Sequence, residues 1–399
     1  MRYHVQRLAA LAGQPVRRII GLMSGTSLDG LDVVLCNCSG SGTQTRVAVE
    51  RFMTVPYDEA FKTEIRRVFA KKEVEFQHLT LLNVVVAERQ AAIVLDCLRQ
   101  WQVAAHDVDL IASHGQTVFH APRIFHGLAG YPNATLQIGD GDHLAVRTGI
   151  LTISDFRQKH LAAGGEGAPL ALYGDYFLFS QAGEDRFLLN LGGIANFTFL
   201  PGDSDPAKAF ATDTGPGNTL LDAFARALFD VAYDADALLA SAGMVEPGLL
   251  DQLYSDAFFA ASFPKTSGPE YFNAAWVETA LRQLPKGHNN PYNLLATLTK
   301  LTADTVAGAL LRVPLTVGRP ALYISGGGAH NPLIRKYLQE NLPDWPIHTM
   351  DMLGIDGDAK EAVLFAVLAN ETVAGSNSLG KQRLGGLPLV GMGKISFPS

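Results

Sequence analysis

The chain predicts a mixed α/β fold of two domains, with helices on the faces of their sheets. Three observations lead there. At 399 residues it is longer than one hydrophobic core usually organises. Short strand-like runs alternate with helical patterns along most of its length. Two hairpins, over residues 21–32 and 187–200, are turned by glycine-rich tips and suggest two related halves.

The strand-like runs are short and rich in Val, Ile, Leu and Phe. They are Ile19–Met23, Asp32–Asn37, Thr45–Thr54, Leu110–Ser113, Ala134–Ile138, Leu151–Ser154, Phe187–Asn190, Ala195–Leu200 and Ala321–Ser325. Apolar residues recurring at helical spacing mark Asp58–Ala70, Phe76–Gln102, Leu220–Asp230, Trp276–Leu284, Leu294–Leu311, Pro332–Glu340 and Ala359–Val373. Asp155–Gly167 reads as the crossing between domains. After Ala374 the chain turns loop-like through Gly-Ser-Asn-Ser, and this tail is expected to pack back on the first domain. No tandem repeat is visible.

Composition narrows the function classes. With 32 Lys and Arg against 39 Asp and Glu, the formal charge is −7, which argues against a general nucleic-acid binder. A small anionic ligand stays compatible, because local amides, a metal and a few cations can hold one. Cys36, Cys38 and Cys97 are too few and too poorly spaced for a disulfide frame or a zinc site. No apolar run reaches the roughly 18 residues of a membrane span. Residues 1–16 carry Arg2, Arg7 and a Leu-Ala-Ala-Leu-Ala stretch too brief for a signal-peptide core. They read as an N-terminal extension of a cytoplasmic protein.

Several glycine-rich loops end strands. In Gly21–Asp32, the residues Gly25, Thr26 and Ser27 can bring amides and hydroxyls to an anion; a plain hairpin turn is the alternative. Gly192-Gly193 mirrors that tip. Asp213-Thr214-Gly215-Pro216-Gly217-Asn218 opens a helix, so Asp213 is either a cap or a carboxylate held as a base. Ser325-Gly326-Gly327-Gly328 follows a buried strand, where a ligand or another backbone must lie close. Ser113-His114-Gly115-Gln116-Thr117 ends a strand with polar groups needing partners. Arg157 can pair with an anionic ligand, or structurally with Asp155 or Glu166. The fingerprints of P-loop NTPases, dinucleotide enzymes, zinc proteases and α/β-hydrolases are absent.

Taken in order, Gly21–Asp32, Ser113–Thr117, Asp155-Phe156-Arg157 with Ala162–Leu170, Leu189–Asn196, Asp213–Asn218 and Ser325–Asn331 resemble the motifs of the anhydro-N-acetylmuramic acid kinase family. That family belongs to the hexokinase–actin–Hsp70 superfamily. Pro264-Lys265-Thr266-Ser267-Gly268, Tyr271-Phe272-Asn273 and Glu361 also fit, and the likeness covers roughly residues 17 to 390. It implies a two-domain actin/hexokinase-like (ribonuclease H-like) α/β fold with an ATP cleft between domains. The expected boundaries are 1–16 for the extension, 17–155 plus about 376–399 for the first domain, and 156–375 for the second.

The resemblance also implies chemistry. ATP, with Mg²⁺, would phosphorylate O6 of 1,6-anhydro-N-acetylmuramic acid while water opens the ring at C1, in peptidoglycan recycling. Asp213 would be the base and Glu361 a second catalytic residue. Gly25, Thr26, Ser27, Leu28, Asp29, Gly30, Leu31 and Asp32, with Gly192, Gly193, Gly326, Gly327 and Gly328, would hold the nucleotide. His114, Gln116, Arg157, Glu166 and Gly167 would hold the sugar. The expected partner is a small anhydrosugar, with no nucleic acid or membrane, and a homodimer is implied. Three departures stand out: Met23 where much of the superfamily has a metal-holding Asp, Glu166 where the family leads one to expect Gln, and His160 where it leads one to expect Asp. The Mg²⁺ ligands are therefore left open. Rival readings are a kinase of a neutral anhydrosugar such as levoglucosan, and a non-catalytic ATP clamp of the actin-like class.

Overall fold

The first glycine-tipped hairpin forms as its alternation predicts. Strand β1 (Val16–Ser24) pairs antiparallel with β2 (Gly30–Ser39), setting Ile20 opposite Leu35 and Met23 opposite Asp32. β3 (Arg46–Pro56) continues the meander, β4 (Leu110–Ala121) runs parallel to β1, and β5 (Ala134–Ile138) and β6 (Thr152–Ser154) pair with β4. A second sheet repeats the plan. β7 (Asp185–Leu191), β8 (Ile194–Leu200) and β9 (Phe210–Pro216) form an antiparallel meander. β10 (Pro320–Ser325) then runs parallel to β7, and β11 (Ile347–Thr349) parallel to β10. Near the C-terminus, β12 (Arg383–Leu384) and β13 (Leu387–Pro388) make a small hairpin, and β14 (Lys394–Ser396) pairs antiparallel with β6.

These belong to a computed structural model that describes residues 2–284, 290–375 and 382–399. Most of the Gly-Ser-Asn-Ser stretch expected as loop lies outside the described residues. The strands run β14-β6-β4-β1-β2-β3 in one sheet and β11-β10-β7-β8-β9 in the other. Each sheet is therefore a three-stranded meander joined to parallel strands, which is the pair of related halves that the two hairpins suggested.

The chain divides into two units, Met1–Phe179 with Asp358–Ser399, and Ser180–Gly357. These boundaries differ from the expected 155 and 375. The presumed crossing at Asp155–Gly167 is internal to the first unit because its groups bond back to β4. The following helix Ala171–Phe179 also stays there, with Gly174 so close to Leu364 that a Cβ would lie 2.6 Å from its Cδ1.

In the first unit, the helix Phe76–Trp101 starts where the Glu75 carboxylate accepts from the Gln77 and His78 amides. It buries Leu82, Val86, Val94 and Leu98 with Ile20, Leu22 and Val33 of the sheet. The helix Lys360–Ala374 lies against β1, β2 and β4. Gly21 permits this approach, since a Cβ there would stand 2.0 Å from the Ala362 carbonyl oxygen. The N-terminal stretch expected as an extension is a helix, Arg2–Gly13, with Leu11 buried. Arg17 ties it down, donating to the Leu11 and Gln14 carbonyls and to Asn370 Oδ1 at 2.6 Å.

The second unit is organised around Pro291–Leu311, capped by the Asn290 side chain and buried along most of its length, including Leu295, Leu298, Leu301 and Val306. By length and composition this helix is apolar enough to cross a membrane, yet it packs here as a core helix.

Candidate active site

The first loop is shaped by its flanks. Leu28 takes a left-handed conformation at φ 62° and buries its side chain, and Gly30 lies so close to β3 that a Cβ would meet the Val55 carbonyl at 2.4 Å. Leu31 is also buried, while the Asp32 carboxylate accepts from Thr54 Oγ1 at 2.6 Å. What the loop offers outward is Gly25, Thr26, Ser27 and Asp29. The Thr26 and Ser27 hydroxyls have no partner among the described residues. The eight-residue nucleotide set expected from Gly25 to Asp32 thus divides into a presented tip and an anchoring base.

Gln116 holds that tip in place. Its Oε1 accepts from Ser24 Oγ at 2.7 Å, and its Nε2 faces the Gly25 carbonyl at 3.4 Å. His114 is buried too. Its Nδ1 lies 3.1 Å from the Gly115 carbonyl, and its Nε2 accepts from Arg157 Nε at 3.0 Å. Burial, reinforced by the Arg157 charge, pushes its pKa down to about 3. The ring is therefore neutral and carries its proton on Nδ1. Both residues are expected to contact sugar, and in the structure their side-chain polar atoms have partners within the protein. They position the loop and Arg157.

Arg157 donates Nη1 to the Gly167 carbonyl at 2.6 Å. It pairs with neither Asp155 nor Glu166: Asp155 bonds Lys394 Nζ at 2.5 Å, and Glu166 is exposed. Burial lowers the guanidinium pKa, and the Glu361 carboxylate pulls it back. Glu361 itself is exposed in the first turn of its helix, where the helix dipole favours negative charge. The Gly167 amide donates to His160 Nδ1 at 2.9 Å, so His160, standing where the family leads one to expect Asp, is an acceptor here. Gly165 covers the imidazole so closely that a Cβ would lie 2.2 Å from Cε1.

In the second unit, Gly192 and Gly193 turn the β7–β8 hairpin, and their carbonyls accept from the amides that open the helix Asn218–Phe229. Asn218 N bonds Gly192 O at 2.8 Å, while Gly217 N and Thr219 N bond Gly193 O at 2.9 and 3.1 Å. Those amides, expected to attract an anion, are therefore already satisfied; the free donors at this tip are the hairpin's own. The Gly326–Gly328 loop crosses the end of β7. A Cβ at Gly326, where φ is 81°, would meet Asn190 Oδ1 at 2.7 Å, and one at Gly328 would meet Leu191 Cβ at 2.8 Å. Close backbone packing within the unit thus accounts for two of the three glycines, and Gly327 is exposed.

Asp213 lies on β9, opposite Asn196, and caps no helix: the helix starts five residues on, with Gly217 as its N-cap. Its threonines, glycine and proline read as a loop in the sequence, and pairing with β8 makes it a strand. Ser267 N donates to Asp213 Oδ2 at 2.7 Å, and Asp213 N donates to the Lys265 carbonyl at 2.9 Å. The other oxygen, Oδ1, has no hydrogen-bond partner among the described residues. Burial raises the carboxyl pKa, while the Ser267 amide and the Lys265 ammonium pull it down. Lys265, which sequence reasoning left without a role, stands over the Phe258 ring at 4.3 Å and donates to the Phe258 carbonyl at 2.7 Å. Burial and the Arg312 charge bring its pKa to about 8.

Among the described residues no three His, Cys, Asp or Glu side chains cluster to hold a metal ion. Hydroxyls, free amides and isolated carboxylates suit a divalent ion that arrives on phosphate, since Mg²⁺ keeps waters and needs only one or two protein carboxylates. A loop presenting free hydroxyls and an anchored carboxylate are parts that a phosphotransferase can use.

Comparison with known proteins agrees. The family model of anhydro-N-acetylmuramic acid kinase matches residues 17–396. The anhydro-N-acetylmuramic acid kinase of Pseudoalteromonas atlantica is 50% identical over 404 residues, covering 100% of both chains. That of Caldanaerobacter subterraneus is 36% identical over 397 residues, covering 98% of this chain and 100% of the relative. Solved structures are more distant. The ADPNP-bound activator of the 2-hydroxyisocaproyl-CoA dehydratase from Clostridium difficile matches at TM-score 0.40 and 12% identity, covering 89% of this chain and 95% of that one. A ROK family glucokinase from Streptomyces griseus with glucose and AMPPNP matches at TM-score 0.34 and 13% identity, covering 89% and 99%. The chain belongs to the anhydro-N-acetylmuramic acid kinase family, and is an enzyme of the kinase class.

Proposed function

We propose that the enzyme uses ATP to phosphorylate 1,6-anhydro-N-acetylmuramic acid at O6 while water opens the 1,6-anhydro ring, giving N-acetylmuramic acid 6-phosphate for peptidoglycan recycling in the cytoplasm. The observation that carries the reading is Asp213, fixed through Oδ2 by the Ser267 amide with Oδ1 open and its basicity raised by burial. Such a carboxylate can take a proton from water. The water oxygen bonds to C1, the C1–O6 bond breaks, and the released O6 attacks the γ-phosphorus as ADP leaves. The leaving group of one step is the nucleophile of the next.

In this reading the Gly25–Ser27 tip of the first unit offers amides and hydroxyls to phosphates; within the second unit the Gly192–Gly193 turn offers amides, and Gly327 is exposed. Arg157, held by His114 and the Gly167 carbonyl, turns its remaining Nη2 edge to the lactyl carboxylate, which a neutral anhydrosugar lacks. Glu166 and Glu361 face the same sugar. Mg²⁺ would supply charge neutralisation to the phosphates, and Asp29 and Asp32, the latter directly across from Met23, are the carboxylates of the first loop that would hold it.

The test is to incubate the protein with Mg-ATP and either 1,6-anhydro-N-acetylmuramic acid or levoglucosan, following ADP and sugar phosphate. The acidic sugar should turn over and levoglucosan should not. Asp213→Asn should fold normally and lose at least about a thousandfold in kcat. Turnover near wild type in that variant removes Asp213 as the base.

A further inference from the structure

We propose that His160 is a positioning residue for Arg157, acting through the backbone of Gly167, and so sets the enzyme's affinity for the acidic sugar. The inference rests on the reading that Arg157 meets the sugar's carboxylate. Three bonds run in sequence. Gly167 N donates to His160 Nδ1 at 2.9 Å, Arg157 Nη1 donates to Gly167 O at 2.6 Å, and Arg157 Nε donates to His114 Nε2 at 3.0 Å. Gly167 is therefore held at its N–H by one histidine, while the guanidinium that its carbonyl orients is held on its other side by a second.

The chemistry fixes both tautomers. Nδ1 of His160 accepts, so its proton sits on Nε2; Nε2 of His114 accepts, so its proton sits on Nδ1. The two rings are opposite tautomers on either side of one cation. His160 is fully buried, and its Nε2 has no hydrogen-bond partner among the described residues, with the Tyr173 ring edge-on at 5.6 Å. Leaving a buried N–H unpaired is costly, and that cost is tolerated where the other nitrogen does something specific. Gly165, which a side chain would drive into the imidazole, completes a seat shaped for this ring. Arg157 disfavours a proton on His160, whose pKa burial and that charge bring to about 4. The acceptor therefore stays an acceptor at neutral pH.

Two measurements on the full chain test this. Nitrogen-15 NMR of the imidazoles at pH 7 should show His160 protonated at Nε2 and His114 at Nδ1; His160 protonated at Nδ1 overturns the proposal whether or not the enzyme is active. Steady-state kinetics give the second readout. His160→Ala should raise KM for 1,6-anhydro-N-acetylmuramic acid roughly tenfold, the scale of one lost hydrogen bond, with KM for ATP within about twofold. His160→Asn, which keeps an acceptor at the δ position, should recover most of that loss. In an Arg157→Ala background, His160→Ala should add little, because the two act as a unit. Full additivity, or an equal rise in KM for ATP, makes the histidine merely structural. A wild-type enzyme with the expected tautomers but no turnover of this sugar instead refutes the function proposed above and leaves the relay standing.

Discussion

Replacing Gly21 with alanine puts a number on how closely the helix Lys360–Ala374 lies on its sheet. The new Cβ would stand 2.0 Å from the Ala362 carbonyl oxygen and 3.0 Å from Val34 Cγ1. The first obstacle is helix backbone, which cannot rotate away as a side-chain tip can. Ordinary contact begins at 3.4 Å, so strand and helix must part by about 1.4 Å, opening a layer that is otherwise close-packed. Overpacking typically costs 1–3 kcal/mol, and a shift this large against backbone belongs at or above the upper end, about 3 kcal/mol. Hydrogen exchange of the β1 amides under increasing urea measures this in the first unit alone. The β7 amides of the second unit should keep their protection, and Gly13→Ala, in open space at the last residue of the N-terminal helix, should change stability by no more than about 0.5 kcal/mol. A Gly21→Ala loss under about 1 kcal/mol would refute the close approach, as would an equal loss at β7.

Two further outcomes follow from the same geometry. His160, with a pKa near 4 when folded against an unfolded value of about 6.5, binds fewer protons in the native state, so its share of stability is complete above pH 6.5 and drains away as pH falls toward 4. His160→Asn should therefore flatten the acid side of the urea-midpoint profile, by at most on the order of 3 kcal/mol at pH 4; an unchanged slope counts against a neutral buried ring. Asn218→Ala removes the Nδ2 bond to the Leu191 carbonyl at 3.0 Å and should cost about 1 kcal/mol in the second unit, read by thermal unfolding. No change there would mean that Asn218 does not brace the end of β7.

Much of the fold was legible because the pattern was strong. β5 and the long helix from Phe76 fall where alternation and helical spacing put them, and both hairpins close at their glycines. The misses have physical causes. Ala171–Phe179 is buried nearly all round, so it shows no amphipathic period. β9 is held by pairing with β8 rather than by apolar alternation. The N-terminal stretch looked detached because the bonds that secure it, from Arg17 to Asn370 across 353 positions, leave no local signal. At the site, residue identity singled out loops but not who touches whom within them. His114 and Gln116 look like ligand groups until their partners are seen, and the roles of His160 and Lys265 depend on neighbours that sequence spacing does not reveal.

β9 lies at the border of its sheet, with β8 on one side only, and an unpaired border strand invites another chain to add to it. Here residues 264–268 occupy part of that place: Asp213 N bonds Lys265 O, and Lys265 N bonds Thr212 Oγ1 at 2.9 Å. The same segment supplies the Ser267 amide that grips the carboxylate. Covering the border strand and holding the Asp213 carboxylate are thus one piece of construction, and a change that loosens it should expose the strand and release the carboxylate together.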